Sequence, residues 1–456
     1  MRKLLVTIVF ISFCYNVFAV SKSRYEELEL FNKVLYLVES QYYRKVDTTK
    51  LVEGAIKGMM ETLDPHSAFL NKEFYKKMQN DTNGEFGGVG IEVTQKDGIV
   101  FVVTPIDDTP AYKAGVKSKD KIIEINHESI LGYNLDKVID KMKGKEGTSI
   151  ELGIVREGVK GVTQYKLKRE KIRVSSVKSF LVKENYAFVR LTQFQRRSSK
   201  EIAKALNKLK KKAKKKGGVK GIILDLRSNP GGLLDEAVKV SSLFLKEGIV
   251  VSTESRDASN KNIHYVIKSM KKDLKTPLIV LVNGASASAS EIVSGAIQDH
   301  KRGVIMGSQT FGKGSVQTVV QIDKDNGVKL TIAQYMTPKY RKIQALGIIP
   351  DIELEQLSSG WLDEYRSDGS YIREKDLRNH LTATIETKEE KKSRLKDEKM
   401  DREKRRSEIK NRDKKKKSSK KHDIFKKYNP SEDYQVLQAV KYLKTFKVYR
   451  DLNSTK

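Results

Sequence analysis

Apolar positions change their spacing along this chain, and each change marks a different kind of element. Between Tyr25 and Tyr43, Leu28, Phe31, Leu35 and Val38 recur at the interval of an α-helix. A second short helix is expected over Lys50 to Leu63, stopped by Asp64-Pro65. From Phe86 to about Arg169 the pattern turns to short apolar runs, such as Ile99 to Val103 and Ile150 to Val155, divided by glycine-containing turns. That texture predicts a small β-rich domain.

Between residues 171 and 355 strands and helices alternate. Strand-like runs are Tyr186 to Leu191, Gly221 to Leu226, Leu278 to Val282 and Gly303 to Met306, with helices expected at Lys200 to Lys216, Leu233 to Leu245 and Ala289 to Gln298. The order predicts an α/β unit with a mainly parallel sheet, whose reactive groups belong on loops at strand ends. In the Lys-rich helix, Ile202, Leu206, Leu209 and Ala213 hold the core positions, so its lysines form the wet face. A last amphipathic helix is expected over Tyr434 to Tyr449, with Val436, Leu437, Val440 and Leu443 available for docking. The expected organisation is α/β multidomain: a signal peptide over 1–19, a helical N-terminal unit over 20–80, the β-rich domain over 84–170, the α/β core over 171–355 and a C-terminal tail over 356–456.

The first residues change the picture of where the protein works. Met1-Arg2-Lys3, an apolar run from Leu4 to Phe13 and the ending Val17-Phe18-Ala19 have the order of a secretory signal peptide, with cleavage expected after Ala19. The run is shorter than the roughly 18–20 residues of a spanning helix. Cys14, the single cysteine, lies inside that segment, so the mature chain has neither disulfides nor Cys nucleophiles nor Cys-metal sites. Phe13 before Cys14 argues against lipidation, because a small residue belongs there.

The formal charge of +31 invites a nucleic-acid reading, but export removes the protein from nucleic acid and the charge is concentrated locally. Residues 388–427 carry twenty Lys or Arg against nine Asp or Glu, which reads as a solvated, helical or disordered stretch. Anionic lipid or a cell-wall polymer is the surface it would fit.

Three segments carry candidate chemistry. Asn283 to Glu291 contains Ser286, Ser288 and Ser290 in a small-residue turn between a strand and a helix, where free N–H groups can hold an oxyanion. Local chemistry leaves all three serines open, and such a turn can equally serve only to cap its helix. Thr310 to Gln317 sets Lys313 among glycines and apolar residues, a setting that can lower a lysine pKa toward neutrality. Asp225-Leu226-Arg227-Ser228-Asn229-Pro230-Gly231-Gly232 frees a backbone at a strand end and lets Asp225 brace Arg227. His300, at the far end of the helix after Ser288, is a poor base, and the six histidines lack a metal-binding pair spacing.

Together these segments resemble the carboxyl-terminal processing, or tail-specific, proteases, exported Ser/Lys peptidases with an inserted PDZ domain. The similarity runs from about Phe31 to Ile352 and includes Leu63-Asp64-Pro65-His66-Ser67, Leu191-Thr192-Gln193-Phe194 and Gly347-Ile348-Ile349-Pro350-Asp351. The resemblance implies a crotonase-like α/β protease core. Its serine-to-lysine spacing selects Ser288 as nucleophile with Lys313 as general base, and implies Gln317, read as one helical turn on, as the residue that orients the lysine. It also implies an oxyanion hole from Gly231, Gly232 and Ala289. The β-rich domain is then similar to a PDZ domain whose carboxylate loop is Phe86-Gly87-Gly88-Val89-Gly90-Ile91, with the peptide added beside the next strand.

Two turns of the β-rich domain and one loop of the core depart from the family pattern. Lys119-Asp120 and Asn126-His127 stand where Gly-Asp and Asn-Gly are usual, and Lys339-Tyr340-Arg341 follows Thr337-Pro338 in place of a small residue, Gly and Arg. The expected activity is endoproteolysis of exported proteins with free C-termini, in the periplasm or at the extracytoplasmic face of the inner membrane, with no metal or cofactor required. An adaptor or regulatory protein is compatible with this reading, and the oligomeric state is left open. A catalytically silent PDZ scaffold for secreted C-termini is the competing reading.

Overall fold

The computed structural model describes residues 22–355 apart from 184 and 258–260, most of 372–400, and 428–453. The expected signal peptide, Trp361 and most of the basic stretch 388–427 lie outside the described residues. Met1–Phe69 and Leu70–Lys456 are two compact units.

The first unit holds α1 (Lys22–Gln41) and α2 (Thr48–Glu61). Asp47 caps α2 by accepting the Thr49 N–H at 3.0 Å. Past α2, Asp64 turns the chain: its carboxylate accepts the N–H groups of His66 and Ser67 at 2.8 and 2.9 Å and the Ser67 hydroxyl at 2.7 Å. In α1 the expected helical spacing forms a helix, while Leu28 and Phe31 remain exposed.

The second unit opens with α3 (Lys72–Asn83) and β1 (Glu85–Gly88), followed by β2 (Ile91–Lys96), β3 (Ile99–Pro105), β4 (Lys121–Ile125), α4 (Leu135–Met142), β5 (Ser149–Val155), β6 (Thr163–Lys168) and β7 (Glu170–Arg173). Strands β2 to β6 form an antiparallel sheet in the order β2-β3-β4-β5-β6, while β1 pairs with β7. The inward positions Val100, Val102, Ile122, Ile125, Ile150, Leu152 and Ile154 bury one core with Val138 and Met142 of α4. Both unusual turns hold non-glycine residues at positive φ, Lys119 at 72° in the first. Asn126 and His127 both take positive φ, 50° and 63°, in the two-residue connection where Ile125 faces Glu128. Asp120 binds Arg156 through Nε and Nη2, both at 2.7 Å.

The core follows as β8 (Val177–Val182), β9 (Tyr186–Leu191), α5 (Ser198–Ala213), β10 (Gly221–Asp225), α6 (Leu234–Ser242), β11 (Ile249–Ser255), β12 (Lys261–Tyr265), β13 (Leu278–Val282), α7 (Ala289–Asp299), β14 (Val304–Gly307), β15 (Ser315–Gln321), β16 (Gly327–Met336) and β17 (Ile352–Glu353). One sheet runs β8-β9-β10-β13-β14-β17; β8 is antiparallel to β9 and every other pair is parallel. Continuous apolar runs such as Leu278–Val282 are buried throughout, as a sheet covered on both faces requires. Helices α5, α6 and α7 supply Ile202, Leu206, Val240, Val293 and Ile297 to one core cluster. Against the other cluster, α8 (Tyr434–Asn453) lays Val436, Ala439, Val440 and Leu443 on Phe188, Ile223, Ile279 and Leu281. Burying such side chains contributes roughly 1.5–3 kcal/mol each, which anchors the chain's last helix to the sheet.

Parallel pairing aligns strand ends. Arg190 faces Asp225, Asp225 faces Leu281 and Val282 faces Gly307, so the loops after β9, β10, β13 and β14 emerge side by side. This is where an open α/β sheet places its site.

Candidate active site

The loop after β13 separates the three serines. Ser286 Oγ donates to Leu226 O at 2.8 Å and accepts the Asn283 N–H at 3.0 Å, and Ser290 Oγ donates to Asn229 O at 2.9 Å. Both are fully buried and brace the neighbouring loops. Ser288 is half-buried at the N-cap of α7, with φ 53° and ψ −110°. A non-glycine residue in that region stores on the order of 1–3 kcal/mol and needs surrounding structure to hold it.

Much of that hold comes from Glu291. Its carboxylate, fully buried, accepts the N–H of Ser288 at 2.7 Å and of Lys313 at 2.9 Å on Oε2, and the Gly312 N–H at 2.7 Å and the Thr310 hydroxyl at 2.5 Å on Oε1. Burial pushes the Glu291 carboxyl up to about 7, against the pull of these four donors toward the ionised form. Glu291 was not among the expected site residues. Its signal in the sequence is Ser288-x-x-Glu291, the spacing of a capping box at a helix start.

Lys313 is half-buried on the loop after β14. That loop is braced again where the Gly314 N–H donates to Gln344 Oε1 at 2.9 Å and where Glu374 N–H donates to Phe311 O at 3.1 Å. The expectation for Gln317 needs correction. It lies on strand β15, beside a register shift between Val316 and Gln317, so it is not one helical turn beyond Lys313. Its amide donates to Ser315 Oγ at 2.8 Å and Thr331 Oγ1 at 3.4 Å. The helical reading failed because β15 pairs with β16, and pairing overrides any local helical preference.

The loop after β10 closes on the serine. Gly231 has φ 103°, and a Cβ there would stand 2.8 Å from Ser288 Cβ and 3.0 Å from the Ala289 nitrogen. Only glycine admits this approach. The Gly231 N–H donates to Asn229 Oδ1 at 2.9 Å, so it is not directed at an oxyanion. Gly231 O accepts the Phe194 N–H and Phe194 O accepts the Leu233 N–H, both at 2.9 Å, leaving the Gly232 N–H outside this bridge. His300 caps the far end of α7 with Nε2 2.7 Å from Ile249 O.

In the antiparallel domain, Gly88-Val89-Gly90 leads into β2, an edge strand with β3 on one side only among the described residues. The expected loop is shorter than Phe86–Ile91. Phe86, Gly87 and Gly88 lie in β1, paired to Ile172, Lys171 and Glu170, and Gly87 O accepts the Gly144 N–H at 3.0 Å. Gly87 is thereby committed to the sheet. Gly90 takes φ 79°, and its carbonyl accepts the Ile106 N–H at 2.8 Å.

Residues 185–354 match peptidase family S41, residues 101–156 a PDZ domain and residues 16–74 the N-terminal domain of the activating protease CtpB. A carboxy-terminal-processing protease of Bartonella bacilliformis is 42% identical over 80% of this chain and 83% of its own length. The chain belongs to the carboxy-terminal processing proteases of peptidase family S41. It is a serine peptidase with a PDZ domain and a helical N-terminal region. The carboxy-terminal processing protease CtpA of Bacillus subtilis is 37% identical over 76% of this chain and 73% of its own length. A solved photosystem II D1 C-terminal processing protease is 30% identical, with 72% of this chain and 93% of that chain covered and a TM-score of 0.42. The comparisons support the peptidase and not the silent scaffold.

Proposed function

We propose that this carboxy-terminal processing protease uses Ser288 as nucleophile and Lys313 as general base. The supporting observation is the division of labour among the serines: Ser286 and Ser290 spend their hydroxyls on main-chain carbonyls, whereas Ser288 stands at a helix N-terminus against Gly231. Ser288 Oγ attacks the scissile carbonyl and passes its proton to neutral Lys313 Nζ. The tetrahedral oxyanion accepts from Ala289 N–H and Gly232 N–H, the choice of Gly232 over Gly231 following from the bond that Gly231 makes to Asn229. Lys313 then protonates the departing amine, and water, deprotonated in turn by Lys313, hydrolyses the acyl-enzyme. Gln317 steadies Lys313 in this reading through its amide oxygen, which can accept from Nζ while Nε2 stays bonded to Ser315 and Thr331.

The substrate is a protein whose free C-terminus lodges its carboxylate on the backbone N–H groups of Val89 to Ile91 and pairs along the free edge of β2. Met1-Arg2-Lys3, the run Leu4 to Phe13 and Ala19 support export to the periplasm or the outer face of the inner membrane. The basic stretch 388–427 then holds it to anionic lipid or wall polymer through screened attraction.

The decisive experiment is cleavage of a loosely folded protein bearing an apolar C-terminus. Ser288→Ala abolishes cleavage and leaves peptide binding intact; residual activity equal to the native enzyme would remove Ser288 from its role. Lys313→Arg is inactive as well, since arginine keeps its proton. Deleting 388–427 lowers salt-sensitive retention on anionic vesicles, and N-terminal sequencing of the exported protein starts at Val20.

A further inference from the structure

The loop that carries Gly231 and Gly232 is bolted at its start to the far end of the chain. Arg227, buried at 3% exposure, donates from Nε and Nη2 to the two oxygens of Asp225, both at 2.8 Å. Its remaining bonds go to the C-terminal segment. Nη1 donates to Asp433 Oδ1 at 3.1 Å and Gln435 Oε1 at 2.8 Å, and Nη2 donates to Asp433 Oδ2 at 2.9 Å and the Tyr428 hydroxyl oxygen at 3.1 Å. Tyr428 OH donates to Asp433 Oδ2 at 2.8 Å, and its ring lies 5.3 Å below the Arg190 guanidinium. Gln435 Nε2 donates to Leu354 O at 2.6 Å, and Asp433 Oδ1 accepts the Val436 N–H at 3.1 Å at the start of α8.

We propose that Asp433, assisted by Tyr428 and Gln435, is a positioning residue for the peptidase reaction: it holds Arg227, and through it the turn that faces Ser288. The inference rests on the active-site reading above. Arg227 is the entry post of the segment Arg227 to Gly232, and the Phe194 bridge at Gly231 and Gly232 is its exit. Between the posts, Ser228 N–H donates to Asn283 Oδ1 at 2.8 Å, and Asn229 O accepts from Ala287 N–H at 3.0 Å and Ser290 Oγ at 2.9 Å. A shift at the entry is therefore carried straight to the serine loop.

Asp225 alone cannot replace the latch. Both partners of Nη1 among the described residues belong to the tail, so removing Asp433 leaves one of its buried N–H groups to turn toward another acceptor or water. Turning it pulls Arg227 out of its paired geometry with Asp225. The oxyanion turn moves with it, and catalysis is more sensitive to such displacements than substrate binding is.

The test uses the full chain, a short peptide ester and titration of active sites with a fluorophosphonate, so that kcat is expressed per competent site. Asp433→Ala is expected to lower that kcat about tenfold with KM little changed, and to weaken a peptide aldehyde by a similar factor. Asp433→Asn, which keeps an acceptor for Nη1, recovers part of the loss, and it carries the test if Asp433→Ala does not fold. A purely structural role would reduce the number of titrated sites and leave kcat per site unchanged. Native kcat per site in both variants, with Ser288→Ala inactive, overturns the latch. Activity surviving in Ser288→Ala overturns the active-site reading instead, so the two failures are told apart.

Discussion

The backbone nitrogens of Ser288 and Lys313 donate to one and the same oxygen, Oε2 of Glu291, at 2.7 and 2.9 Å. A buried carboxylate thus sets the spacing between the turn of the proposed nucleophile and the turn of the proposed base. Glu291→Gln keeps the shape but turns an NH2 group toward N–H donors, leaving at least one of them unsatisfied. The expected outcome is a loss of kcat of about one to two orders of magnitude, with peptide binding at the PDZ domain unchanged. Steady-state kinetics against isothermal binding of a C-terminal peptide separates the two; equal losses in both would mean global damage.

The same carboxyl predicts how stability depends on pH. Burial raises Glu291 in the folded protein to about 7, above the ordinary value of 4.5. A raised folded value means that the folded state holds the proton more tightly than the unfolded one. Its contribution is therefore complete below about pH 4.5 and is lost as pH rises through about 7, an effect on the order of 3 kcal/mol. Denaturant unfolding at pH 5 and pH 8 should show this decline in the native enzyme. In Glu291→Gln the decline should be missing; an identical slope in both proteins would assign the pH dependence elsewhere.

Gly231→Ala is the sharpest probe of the approach between the two loops. The new Cβ would meet Ser288 Cβ and Ala287 O at 2.8 Å, in a backbone of φ 103° that L side chains rarely adopt. Nothing at these contacts is the flexible end of a side chain. The variant should lose at least about a hundredfold in kcat, because the serine turn itself must move. Gly217→Ala, at φ 82° with nothing within 4 Å of its Cβ, is the control for strain without contact and should remain active.

What could be read ahead of the structure follows physical range. The runs Tyr186 to Leu191 and Leu278 to Val282 were legible to the residue, because buried parallel strands are unbroken apolar stretches bounded by polar turns. Val436, Val440 and Leu443 were legible as a docking face from helical spacing alone, whereas Leu437, expected with them, is not in the buried cluster and Ala439 is. Gln317 was misread, because a four-residue separation fits a helix and a strand equally and β16 decides between them. Asp433, and the reach of Glu291 beyond its capping-box spacing to Ser288, were hidden for another reason. These further partners lie on other loops, nineteen to twenty-two residues away for Thr310, Gly312 and Lys313, and two hundred and six away for Arg227, so no local pattern announces those bonds.

The PDZ loop yields a last prediction, in which one glycine is separated from another. Gly90 has φ 79°, and a Cβ on it would stand 2.3 Å from Cβ and Oγ1 of Thr109, whose hydroxyl donates to Ile106 O at 2.6 Å. Gly98 has nearly the same φ, 77°, with nothing within 4 Å of its Cβ. Backbone strain is therefore shared by the two sites and the collision is peculiar to Gly90. In Gly98→Ala only the strain, about 1 kcal/mol, is felt, and affinity for a peptide with a free apolar C-terminus should stay close to native. In Gly90→Ala the loop must pull away from Thr109, which displaces the N–H groups proposed to receive the carboxylate, and affinity should fall at least about tenfold, or 1.4 kcal/mol. Fluorescence polarisation with the free acid and with the C-terminal amide reads this directly. The native protein should discriminate against the amide and Gly90→Ala should not; retained discrimination would place the carboxylate somewhere other than this loop.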